Sequence, residues 1–305
     1  MRIITKVALS FFLCLGVPLP AQIIGYAPSV AELQTLIDGG VNYVVVRNPT
    51  PGTEYVQETP RTIVLRSGLT LLCERDVVIQ AAPGAFKAAT DVPQASLVSG
   101  TDLDGVTLLG CTFRMRRADY TVANGYLVGE WRHALSLKGC KNVHLSDIRL
   151  TESGGDGLYV GPSIAADGAR SPCENIALDR VLCDHNYRQG LSVVSVKGLT
   201  VRDSQFDATQ GTAPQAGIDI EPAHPLDFAQ DIAIERCSAR NNGGSAFQVD
   251  LRQQNKTSAP VSVAFKDNRG SGIPIGHQLI RLEGIGRNLV KGPPGIVTWD
   301  GTIWP

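Results

Sequence analysis

Between Gly105 and Asn242 the chain repeats one short arrangement of apolar and polar positions. Five segments carry it: GVTLLGCTFRM from Gly105, NVHLSDIRLTES from Asn142, NIALDRVLCDHN from Asn175, GLTVRDSQFDAT from Gly198 and DIAIERCSARNN from Asp231. Each opens on Gly, Asn or Asp, which favour turns. Apolar residues follow at the second and fourth places and, in most segments, at the seventh and ninth. Two alternating pairs, out of phase with each other, predict two short strands separated by a bend. A third short strand follows four of the segments: GLYV from Gly157, GLSV from Gly190, GIDI from Gly217 and AFQV from Ala246. It starts 15 residues after the segment in three cases and 19 in the fourth, where GTAPQA is inserted. ALSL from Ala134 is an earlier, divergent copy.

One uninterrupted period, Asn175 to Gly198, is 23 residues. A coil of three short strands cannot bury its inner face alone, so such coils stack and share one core. The repeat therefore predicts an all-β solenoid, a parallel β-helix. On these segments the chain resembles the right-handed parallel β-helix proteins of the pectin-lyase-like superfamily, over roughly residues 25–284. The resemblance implies a short helix plugging the first coil. SVAELQTLIDGG fits that part, with Ser29 as N-cap, helical apolar spacing and a glycine stop. VNYVVV, TIVL, LTLL and VVIQ read as the first strands and GIVTWDGTIWP as the last.

Stacking turns alignment into geometry, because equivalent residues of adjacent coils lie ~4.8 Å apart. Leu135, Leu158, Leu191, Ile218 and Phe247 form one inward row of the third strand, and Val160, Val193, Ile220 and Val249 the next. The positions between and beside them gather Arg132, His133, Asp156, Tyr159, Arg188, Gln189, Asp219, Glu221, Gln248 and Asp250 on one outward surface, with Arg252 nearby. The insertions RRADYTVANGYLVGEW, PSIAADGARSPCE, GTAPQA and AHPLDFAQ surround it. Insertions around one face of a solenoid build walls, and walls make a groove. A groove over an extended sheet suits a long, polar, linear ligand, so a polysaccharide or oligosaccharide is the expected substrate.

Three carboxylates carry the candidate chemistry: Asp156, Asp219 and Glu221. Asp219 and Glu221 are i and i+2 on one strand, ~7 Å apart, and Asp156 is two coils from Asp219, ~10 Å. Inverting glycosidases hold their acid and base ~6.5–9.5 Å apart, and close like charges raise one pKa. Ordinary charge pairing of these acids with Arg188 and Arg132 is the structural alternative. The glycines of GGDGLYVG leave room for a substrate beside Asp156, or form a tight turn around it. His133 is one coil away, near enough to orient Asp156, and Trp131 offers a flat face to a sugar ring. Arg132, His133, Tyr159, Arg188, Gln189, Gln248 and Asp250 are the expected substrate-binding set.

The resemblance implies two enzyme classes. Polygalacturonases carry Asn-Thr-Asp, Asp-Asp, Gly-His-Gly and Arg-Ile-Lys in successive coils; here Asp156 in GGDG is the only counterpart, and GHG and RIK are absent. Polysaccharide lyases use Lys or Arg as base, often with calcium. In that reading Arg132, Arg188 or Tyr159 serves, and Asp219, Glu221 and Asp250 hold the cation. A glycoside hydrolase needs no cofactor and is the first expectation, the lyase the second, and a non-catalytic glycan-binding β-helix the third.

Composition adds bounds. The 305 residues carry a formal net charge of -1, which gives no electrostatic reason to expect nucleic acid or a membrane as partner. Residues 1–21 read as a cleavable secretory signal, with Arg2 and Lys6 before an apolar run. One β-helix domain is expected over 22–305, clearest over 105–284, in a secreted or periplasmic protein. No CxxC or paired histidine marks a zinc site. Cys111, Cys183 and Cys237 fall in inward columns and read as core packing, whereas Cys173 lies in a loop where it has a chance to pair.

Overall fold

The computed structural model describes residues 24–87, 95–127, 129–271, 280–283 and 293–301. The expected signal, residues 1–21, lies outside them. At the head of each repeat the backbone turns through the left-handed region, with φ of 71° at Gly105, 51° at Asn142, 56° at Asn175, 79° at Gly198 and 53° at Asp231. Gly adopts this conformation without steric cost, and Asn and Asp tolerate it. At this corner the side chains also stack: Asn175 Nδ2 donates to Asn142 Oδ1, and Asn142 Nδ2 to Asp104 Oδ1, both at 2.7 Å.

Among the described residues the strands assemble into three parallel sheets of ten, eight and eight strands, with one short antiparallel pair besides. Each coil gives one strand to each sheet; the coil from Cys173, for example, supplies Cys173–Asp179, Leu182–Asp184 and Leu191–Val193. The register of the third sheet is the expected one. Leu135 pairs with Leu158, Leu158 with Leu191, Leu191 with Ile218, and Ile218 with Phe247. All five are fully buried, as are Val160, Val193, Ile220 and Val249. Removing each such side chain from water contributes ~1.5–3 kcal/mol, and a one-residue slip would expose the whole row.

The helix Val30–Asp38 closes the first coils, capped by Ser29, whose Oγ accepts the Glu32 N–H. Its Val30, Leu33 and Ile37 join the core. At the other end Gly295–Asp300 pairs with Val261–Lys266. The cysteine reading needs one correction. Cys111 is not a free packing residue but is disulfide-bonded to Cys73, with Cα atoms 4.8 Å apart. Stacking is the reason, because Cys73 ends a strand of the preceding coil and meets Cys111 at one coil's spacing. Cys140, Cys173, Cys183 and Cys237 are free and buried.

Candidate active site

A cleft of about 480 Å³ opens over the outward face of the third sheet. Its floor holds His133, Asp156, Tyr159 and Glu221, and Arg188 reaches into it. Three of the four expected insertions wall it. Glu130 and Trp131 come from the first, the hairpin of Ser163–Ile164 with Arg170–Ser171 from the second, and Ala223 from the last. Arg170 ties two walls together, donating through Nε and Nη2 to the buried Asp227 carboxylate at 2.8 and 2.9 Å. GTAPQA contributes nothing to the lining.

Asp156 and His133 meet as expected. The backbone N–H of Asp156 donates to His133 Nδ1 at 3.0 Å, and the same nitrogen lies 3.3 Å from Asp156 Oδ2. Both side chains are buried. Burial pushes the Asp156 carboxyl up to about 8, reinforced by the charges of Glu221 and Glu130 and opposed by Arg188. Burial likewise pushes the His133 imidazole down to about 3, helped by Lys138 and Arg188. The contact is therefore between two neutral groups rather than an ion pair. With Nδ1 accepting, the imidazole proton sits on Nε2. The ring is held by stacking on Tyr159, centroids 5.1 Å apart.

Arg188 organises the carboxylates. Its Nη2 is bonded to Glu221 Oε1, its Nη1 lies 3.6 Å from Asp156 Oδ1, and its Nε lies 3.7 Å from Glu130 Oε2. Burial alone would lower its pKa, but the charges of Asp156 and Glu221 outweigh that and hold it above the ordinary arginine value. One guanidinium thus spans Asp156 and Glu221, which places their facing oxygens within ~8 Å of each other given the fixed fork of the group. Among the described residues neither oxygen of Asp156 has a hydrogen-bond partner, and the same holds for His133 Nε2 and Arg188 Nε.

Other members of the expected surface lie elsewhere. Asp219 is fully buried and outside the cleft lining. Gln189 covers it, donating from Nε2 to Asp219 Oδ2 at 2.6 Å while its Oε1 accepts the Ala216 N–H. Burial, with Glu221 close by, raises the Asp219 carboxyl well above its usual value. Gln248 and Asp250 are also buried away from the cleft, Asp250 against Arg252. Asp219 lies within interaction range of both Glu221 and Asp250, and among the described residues no group of three or more His, Cys, Asp or Glu side chains is arranged to hold a metal ion. Arg132 is the clearest correction. Its guanidinium lies beneath the surface, donating to the carbonyls of Phe86, Lys87 and Leu127, where it holds the wall in place.

The glycines beside Asp156 also act differently. A Cβ on Gly155 would lie 2.4 Å from the Glu130 carbonyl oxygen, and one on Gly154 2.4 Å from the Tyr120 ring. The space is filled by the protein's own wall, and this close approach brings Glu130 to Arg188. Glu130, Lys138 and the Arg170–Asp227 pair were not singled out in the sequence. The available signal for Glu130 was its place in EWRHA, at the end of an insertion that leads directly into His133.

No protein-family model matches the chain. It is 26% identical over 147 residues to the uncharacterized protein YclG of Bacillus subtilis (strain 168), a match covering 46% of this chain and 25% of that protein. The chain thus spans about a quarter of that relative's length. Among solved structures, pre-mature gene product 12 of bacteriophage phi29 superposes with a TM-score of 0.64 at 15% identity, over 86% of this chain and 33% of that one. The deglycosylated pectin methylesterase of Aspergillus niger gives 0.53 at 10% identity, over 94% and 86%. Together with the three long parallel sheets, these likenesses establish the fold: the chain is a right-handed parallel β-helix.

Proposed function

We propose that the chain is a carbohydrate-active enzyme that hydrolyses glycosidic bonds, with Asp156 as general acid and Glu221 as the opposing carboxylate. One observation carries this reading. Two carboxyl groups face one cleft across a single guanidinium, and their environments differ. Asp156 is fully buried and pushed up to about 8, so it keeps a proton near neutral pH. Glu221 is partly exposed and ion-paired with Arg188. A pair split in this way supplies an acid for the leaving oxygen and a base for water, or a nucleophile, on the opposite face of the sugar. Each step balances within the pair: Asp156 gives its proton to the glycosidic oxygen as that bond breaks, and Glu221 takes one from the attacking water.

His133 orients Asp156 through its backbone N–H, and Asp219 is a buried positioning residue behind Glu221 rather than a second acid at the bond. The lyase alternative needs a deprotonated base. Arg188 is a poor one, since the neighbouring carboxylates hold its proton more tightly than usual. A disulfide between Cys73 and Cys111 supports an oxidising, exported setting. Among the described residues no helix is long and apolar enough to cross a membrane. The test is a polysaccharide screen read in two ways. New reducing ends without ultraviolet-absorbing unsaturated products are expected. Unsaturated products would replace the hydrolase with a lyase, and binding without any product would leave a glycan-binding solenoid.

A further inference from the structure

The cleft floor is unusual in what it leaves unbonded. His133 Nε2 carries the imidazole proton, because Nδ1 accepts the Asp156 N–H. That donor is buried, lines the cleft and has no acceptor among the described residues. Asp156 beside it has no hydrogen bond to either oxygen. Buried polar atoms are nearly always satisfied, so a row of bare ones points to a bound polar group. The wall above them is partly apolar, with Trp131, Pro162 and Ile164, and the ring of Tyr159 lies beside them on the floor. A polar floor under an apolar wall matches a sugar ring, hydroxyls down and C–H face against the aromatics.

The charges narrow the class of sugar. The acids lining the cleft besides Asp156 are Asp102, Glu130 and Glu221, and the bases are Lys138, Arg170 and Arg188. Arg170 is already neutralised by Asp227, so the acidic side is in excess. Arg188, the cation nearest Asp156, is bracketed by Glu130 and Glu221. A uronate carboxylate placed here would meet those two carboxylates, and like-charge juxtaposition excludes ligands efficiently.

We infer that the subsite at Asp156 takes an uncharged sugar, one hydroxyl of which accepts a hydrogen bond from His133 Nε2–H, and that it rejects uronates. This names the substrate class of the hydrolytic site proposed above and rests on that reading. His133 is then a specificity-determining residue as well as a positioning one. Because the donor is buried, a ligand lacking that hydroxyl leaves it unsatisfied, and discrimination of roughly tenfold to a hundredfold is expected.

Asp156→Asn, which preserves the neutral state of residue 156 while blocking turnover, is the form to titrate. The probes are gluco-, xylo-, manno- and galacto-oligosaccharides against oligogalacturonate, oligomannuronate and oligoglucuronate, followed by calorimetry. At least one neutral probe should bind tenfold or more tighter than every uronate. His133→Gln should weaken it tenfold to a hundredfold. Should that variant fold poorly, monodeoxy versions of the same probe on the unaltered His133 supply the reading: removing one hydroxyl should cost the same factor. Tightest binding by a uronate, or no deoxy position costing more than about twofold, overturns the inference and leaves a carbohydrate-active enzyme standing. Failure of every probe to bind or be cleaved removes the hydrolase reading itself.

Discussion

Two sets of stacked Asp and Arg residues, one coil apart in each case, behave in opposite ways. At the corner between the first two sheets Arg180 grips Asp147 through two bonds of 2.7 and 2.8 Å, and Arg236 grips Asp203 at 2.8 and 2.9 Å. These aspartates are about half exposed, and the arginine hydrogen bonds hold both carboxyls below their ordinary pKa. Over the third sheet Asp156 lies 3.6 Å from Arg188, has 0% exposure, and is pushed up to about 8. The residue types and the stacking are shared. Burial decides the difference: in water the partner's attraction sets the protonation state, whereas in the buried cleft desolvation overrides it. The corner pairs are complete within themselves, while the cleft group keeps bonding capacity for a ligand.

The sharpest way to break the comparison is to remove a carboxyl from each set. Asp156→Asn should lower turnover by ~10²–10⁴, the range of a lost general acid, with the far-ultraviolet spectrum unchanged. Glu221→Gln should lower it by a similar factor and also loosen Arg188. Retention of most activity by Asp156→Asn would put the acid elsewhere. Arg188→Met comes next. It leaves Glu130 and Glu221, both partly exposed, around an empty centre, and should cost more stability than the ~0–1 kcal/mol of a surface pair, measurable by denaturant unfolding. A loss no larger than that of a surface pair would contradict the organising role of Arg188.

The next effect is a pH dependence of stability. Asp156 is protonated in the folded state up to about pH 8, whereas in the unfolded chain it ionises near ~4. Between these values the folded state binds more protons, so stability falls as pH rises and levels off above about 8. Asp219 acts in the same direction. His133 acts in the opposite one, since burial favours its neutral form, and its contribution is complete above ~6.5, where the unfolded imidazole is neutral too. From pH 6.5 to 8 the Asp156 contribution should therefore decline by up to ~1.4 kcal/mol per pH unit. Asp156→Asn should flatten that slope relative to the unaltered protein. The smallest effect belongs to the corner: Asp147→Asn should leave activity unchanged and shift the thermal midpoint less than any change above.

The solenoid and its register were legible because period and alternation are local properties repeated many times. Leu158, Leu191, Ile218 and Phe247 identify their column without reference to anything beyond the third strand. The site was legible only in part. Columns show which residues lie on a face, but insertions decide which of these remain open. Asp156, Glu221, Tyr159, His133 and Arg188 come together in the cleft. Asp219, Gln189, Gln248 and Asp250 share their outward columns yet are covered. Arg132 is turned inward, where the backbone carbonyls of Phe86, Lys87 and Leu127 take up its donors. No one-dimensional pattern reports such contacts. The Cys73–Cys111 bond was hidden for a related reason, since their sequence separation of 38 is set by loop lengths rather than by the repeat.

The protonation state of Asp156 can be measured without knowing the substrate. In an infrared difference spectrum between the unaltered chain and Asp156→Asn, a protonated-carboxyl carbonyl band should be present at pH 6 and disappear as the pH is raised through about 8. A carboxylate band at pH 6 in its place would show Asp156 already ionised, and the assignment of this residue as the acid would not stand.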